Sequence, residues 1–166
     1  MTREQYARMT CRVRAVTQRL PGGDKALRIP TLLCAGAYLI ALIALMVRGD
    51  ARIVRAMLAP AACFLAVTVL RPIIGRQRPY DRYGVPPVGK YRPGKGKSMP
   101  SRHTASAAAI ACAVIYAFPS APMAAAMLTL CAVIAALRVC SGQHYISDVI
   151  AALAISFVLS VLLYKI

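Results

Sequence analysis

Apolar residues in this chain fall into long blocks rather than into the alternating or one-sided stripes that a soluble core produces. The blocks are Ile29–Val47, Ile53–Leu70, Thr104–Phe118, Ala121–Leu137 and Val149–Tyr164, each 15 to 19 residues long, with Arg55 the one charged residue inside any of them. A helix needs about 20 apolar residues to cross the hydrocarbon core. The pattern therefore predicts five transmembrane helices whose ends extend into flanking sequence. Arg55 stands one turn into its block, where its side chain can snorkel to the interface. A charge-rich stretch of 28 residues precedes the first block and no small-residue cleavage site follows it, so it reads as a permanent anchor rather than a signal peptide.

The first 20 residues differ. Thr2, Gln5, Arg8, Arg12 and Arg19 interleave with Tyr6, Met9, Val13, Val16 and Leu20 at near-helical spacing, which predicts an amphipathic helix lying on the membrane surface. The competing reading is a disordered basic tail. The expected fold class is all-α: a multi-pass membrane helical bundle of five transmembrane helices plus an N-terminal amphipathic interfacial helix. It divides into a basic segment, residues 1–28, and a transmembrane domain, residues 29–166.

One substantial loop, Arg71–Pro100, joins the second and third spans and carries eight Lys or Arg and six Pro. Pro119-Ser120-Ala121-Pro122 makes a tight uncharged turn and so an antiparallel helical hairpin. The opposite connection, Arg138–Asp148, is short and polar. With five crossings, the amino terminus, the long loop and Arg138–Asp148 share one side of the membrane.

Composition narrows the partners. The chain is 59% hydrophobic and carries a net charge of +16, from 21 Lys or Arg against five acids. Such a balance suggests a polyanion, but the cations sit beside membrane spans, where anionic lipid head groups are nearer than nucleic acid. Cys34, Cys63, Cys112 and Cys131 lie inside apolar blocks and read as small buried hydrophobes rather than as a disulfide or metal framework.

The candidate chemistry is concentrated on the loop side. The two histidines, His103 and His144, each stand at the boundary of a span, and Asp148 is the only acid after Asp81. If Arg138–Asp148 enters the last span as helix, His144 and Asp148 share a helix face, and the carboxylate can fix one ring nitrogen while the other serves as nucleophile or base. Arg71, Arg78 and Arg138 offer guanidinium forks suited to phosphate oxygens. Ser101 is placed to cap the third span, whose first N–H groups would then face an anion.

Arg71-x6-Arg78-Pro79, Pro100-Ser101-Arg102-His103 and Arg138-x5-His144-x3-Asp148 together resemble the three-part signature of the type 2 phosphatidic acid phosphatase (PAP2) superfamily, over residues 71 to 150. The resemblance implies a metal-independent, cofactor-free membrane phosphatase. His144 would attack phosphorus to give a phosphohistidine, with Asp148 orienting it and His103 as acid, then base. Arg71, Arg78 and Arg138, with Ser101 and nearby backbone N–H groups, would hold the phosphate, and Arg102 would add charge for a second phosphate or turn to the lipid head groups. Arg102 departs from the family's usual Gly, and Leu137 replaces the usual Ser before Arg138.

Other readings fit less of the chain. A noncatalytic basic membrane protein explains the charge and the spans, but not both histidines and Asp148 in signature positions. Gly89–Lys95 nearly spells a nucleotide-binding loop, yet Gly96 stands where Ser or Thr is required. Two histidines and one acid make a poor zinc site. The substrate classes left open are phosphatidate, phosphatidylglycerophosphate, sugar-lipid phosphate and polyprenyl phosphate or diphosphate. Outside Arg71, Arg78, Arg102 and Arg138, the loop side carries thirteen Lys or Arg against four elsewhere, which by the positive-inside rule predicts a cell-membrane enzyme with its site on the cytoplasmic face.

Overall fold

A computed structural model describes residues 2–94 and 96–165; Lys95, in the basic cluster of the long loop, lies outside the described residues. Among these the chain is all helical: α1 (Arg3–Thr17), a 3-10 turn (Gly23–Arg28), α2 (Ile29–Val47), α3 (Arg52–Ile74), α4 (Pro79–Tyr83), α5 (Arg102–Ala117), α6 (Ala121–Cys140) and α7 (Ile146–Lys165). The expected extension of the apolar blocks is seen at α3, α6 and α7, and α2 keeps the limits of its block.

Four helical segments, those containing α2, α3, α6 and α7, are long and apolar enough to cross a membrane. The expected count of five is not reached by length. The remaining block forms α5, only 16 residues, or about 24 Å at 1.5 Å per residue. What α5 lacks in length it makes up in burial. It packs against α2, α3, α6 and α7, and Ala105, Ala107, Ala108, Ala109, Ala111, Ala113 and Ala117 are all buried. Alanine lets helix backbones approach closely, which favours association where lipid and side chain are equally apolar. Cys63 and Val67 of α3 meet Ala105, Ala109 and Ala152 on one side of α5, while Cys34, Met127, Cys131 and Ile134 fill the other.

The outer surface is the reverse of a soluble protein's. Leu32, Ile40, Val47, Ile73 and Phe157 are each more than 60% exposed. So extensive an apolar exterior fits a lipid solvent, and the chain is a multi-pass membrane protein.

At the N-terminus, Thr2 and Gln5 form a reciprocal capping box that satisfies two of the helix's free donors. α1 turns one face to the protein and leaves much of its apolar face uncovered by it. Tyr6, Thr10 and Thr17 are buried, whereas Val16 and Leu20 are 59% and 45% exposed. The buried face docks on the loops through a few polar contacts. Tyr6 donates to Gly142 O at 3.0 Å, Arg14 to Pro86 O at 3.3 Å and Thr17 to Asp24 at 2.9 Å.

Candidate active site

The site is assembled at the end of the bundle where the long loop folds back. At the C-terminus of α6 the Arg138 carbonyl accepts the N–H groups of both Gln143 and His144, each at 3.2 Å. This double acceptance consumes a carbonyl that the helix end leaves free and sets how far past Arg138 the histidine sits. The turn requires Gly142 at φ +75°, the left-handed position that usually follows a helix. A Cβ there would lie 2.4 Å from the Tyr6 hydroxyl.

His144 therefore lies in a turn, two residues before α7 begins, and shares no helix face with Asp148 as the spacing had suggested. The turn nonetheless brings His144 Nδ1 to 3.5 Å from Asp148 Oδ2, both side chains almost wholly buried. At that distance the two groups approach without a hydrogen bond, and Nδ1 has no hydrogen-bond partner among the described residues. Burial holds the proton affinity of His144 below its ordinary value; the contact to Asp148 raises it, and Arg78 and Arg71 lower it. The net direction keeps the ring neutral and nucleophilic at neutral pH.

Asp148 is fully buried and its oxygens are well supplied. Oδ2 accepts from the Ser98 hydroxyl and from Tyr145 N–H at 2.9 Å. Oδ1 accepts from Arg76 at 2.8 Å. A buried carboxylate without such partners would be expensive.

A cavity of about 770 Å³ opens beside His144, and Arg71, Arg78, Arg102, His103 and Arg138 line it. The structure thus gathers six of the eight expected site residues around one space. Asp148 stands behind His144, outside the lining. Ser101 departs further. It occupies the N-cap of α5, but its side chain makes no capping bond; it is buried, accepts from Thr104 at 3.0 Å, and does not line the cavity. Its backbone N–H donates to Asp148 O at 3.1 Å, so its contact is with the start of α7.

The arginines differ in how far they are already engaged. Arg71, buried on α3, donates Nε to Lys97 O at 3.1 Å. Arg78 donates to the carbonyl of Gln143 at 3.3 Å and to its side-chain oxygen at 3.2 Å. Arg138 has a buried Nε with no partner among the described residues, so an anion in the cavity meets an unspent charged donor. Along the same space lie Lys25, Arg28, Lys90 and Arg92. Among the described residues no carboxylate comes within ion-pair distance of these four or of Arg102.

The motif pattern did not single out Gln143, Ser98, Arg76 or Tyr6. Gln143 bonds Val88 O at 3.3 Å and Lys90 O at 3.0 Å, tying the long loop to the turn that carries His144. Of the four, only the contact at Gly142 left a sequence signal, a glycine between two motif residues where backbone must come close.

The PAP2 superfamily profile matches residues 51–166, which include all three motifs. The chain belongs to the PAP2 superfamily. With its signature set among membrane helices, it is a PAP2 phosphatase. The helical arrangement is similar to the crystal structure of a transmembrane PAP2-type phosphatidylglycerophosphate phosphatase from Bacillus subtilis, with a TM-score of 0.70 and 20% identity over 98% of this chain and 84% of that one. At that identity the likeness speaks for the fold. No curated protein matches this PAP2 chain.

Proposed function

We propose that the chain hydrolyses a phosphate monoester or diphosphate of a membrane lipid through a phosphohistidine at His144. The observation that carries this reading is the approach of His144 Nδ1 to the buried Asp148 beside an arginine-lined cavity. Asp148 holds the ring so that Nε2 faces the cavity, and Nε2 attacks phosphorus. Arg71, Arg78 and Arg138 take the equatorial oxygens, whose charge they offset as the bond to the leaving oxygen lengthens. His103 acts first as acid and then as base. It gives a proton to the leaving oxygen, then takes one from the water that cleaves the P–N bond and releases inorganic phosphate. Ser101 acts through the start of α5 rather than by its hydroxyl. No step uses a metal or cofactor.

Five uncompensated cations around the cavity suit a head group bearing a second anionic phosphate. A diphosphate has this form, and so does phosphatidylglycerophosphate, the substrate named for the structural neighbour. The bilayer position follows from the exposed apolar helices, with α5 as a fifth, central crossing. The basic excess on the site's side favours the cytoplasmic face of the cell membrane. The exposed residues of α1, Val16 and Leu20 among them, rest against the interface.

Phosphate release from a panel of lipid monophosphates and diphosphates in detergent tests the reading. Metal-independent, vanadate-sensitive release is expected, absent in His144→Ala. Release that survives His144→Ala contradicts it. Cys11 is exposed on α1 and Cys140 half-buried, so Cys11 is the better reporter of sidedness; its labelling by an impermeant maleimide in intact cells contradicts the cytoplasmic assignment.

A further inference from the structure

Arg76 lies between two motif arginines, in a loop where eight Lys or Arg hide any single one. Its side chain donates to Asp148 Oδ1 at 2.8 Å and to Ser147 Oγ at 2.7 Å. Its guanidinium carbon lies 4.3 Å from the centre of the Tyr145 ring, in cation–π range. Its own backbone carbonyl accepts the Ser98 N–H at 2.9 Å, and Ser98 in turn donates to Asp148 Oδ2. Arg76 thus reaches both oxygens of the buried carboxylate, one directly and one through Ser98.

We propose that Arg76 is the positioning residue of this site, fixing the plane and the charge of Asp148 so that Oδ2 meets His144 Nδ1 without holding that ring protonated. The proposal rests on His144 being the nucleophile. A carboxylate facing imidazole alone would favour imidazolium, which cannot attack phosphorus. Arg76 draws on the same charge from the opposite oxygen. It contributes to neither the cavity wall nor the phosphate contacts proposed above. The charged and titratable groups that act on His144 are Asp148, Arg78 and Arg71, with His103 coupled to it across the site.

The test measures phosphate release by the full-length protein in detergent micelles, with dioctanoyl phosphatidate as probe, across pH. Arg76→Gln is expected to lower kcat by about 10²-fold, the scale of a small misplacement of a reacting group, with KM little changed. Its acid limb should move upward, since Asp148 then holds the His144 proton more firmly, and added guanidinium should recover part of kcat. Arg76→Lys covers the case in which the neutral variant fails to fold. It keeps the charge without the fork, and should retain the wild-type acid limb with kcat reduced by about tenfold. Wild-type kcat in Arg76→Lys overturns the proposal. So does a folded Arg76→Gln whose acid limb stays in place or whose loss guanidinium leaves untouched. His144→Ala in parallel separates the two claims: activity there removes the nucleophile reading itself, whereas a dead His144→Ala beside a wild-type Arg76 series removes only the role of Arg76.

Discussion

His144 Nδ1 and Asp148 Oδ2 stand 3.5 Å apart although the two residues share no helix. The Arg138 carbonyl sets the turn on one side, and the first turn of α7 presents the carboxylate on the other. Asp148→Asn should therefore fold, because the side chain keeps its volume, and yet lose about 10⁴-fold in kcat, the scale seen when an orienting acid is neutralised in a catalytic triad. Steady-state phosphate release checks it; a loss below about tenfold would be too small for an orienting role.

Burial lowers the proton affinity of His144 from its ordinary 6.5. In the proposed mechanism the form that attacks is the neutral one, so activity should persist as pH falls below the ordinary value and fail only when the ring charges. The acid limb of kcat/KM is expected to lie below 6.5, read from initial rates on the free enzyme. A limb at or above that value contradicts the environment described.

Gly142→Ala would force a side chain into the left-handed region, a strain of about 1–3 kcal/mol, and drive its Cβ to 2.4 Å from the Tyr6 hydroxyl. Both effects act on the turn that carries His144. Thermal unfolding in detergent should show a clear loss of stability, with a fall in kcat. Tyr6→Phe, which removes only the hydrogen bond to Gly142, should cost about 1 kcal/mol.

Arg102 stands where the family usually has Gly. If it binds a second phosphate, Arg102→Gly should raise KM for a lipid diphosphate by about tenfold, the scale of one charge-assisted contact, while a lipid monophosphate is little affected. Equal effects on both assign Arg102 to the transferred phosphate or to the membrane surface.

Much of the fold was legible because lipid imposes one strong constraint, helices with apolar exteriors, and α2 keeps the limits of its block. α5 misled on length, since a helix enclosed by four others need not span by its own apolar surface. The site was legible where residue type is rare: two histidines and one isolated acid stand out in an apolar chain. Arg76 was not, because its neighbours carry the same charge and only the folded loop distinguishes it. Ser98 and Gln143 act through backbone carbonyls and carboxylate lone pairs that no spacing announces.

The most direct test is to trap the intermediate. A lipid substrate labelled with ³²P in the scissile phosphate is mixed with full-length protein, quenched at high pH and mapped by peptide. The account predicts alkali-stable, acid-labile label on the peptide bearing His144, absent in His144→Ala. Hydrolysis that proceeds with no such label, or with label on another residue, would contradict it.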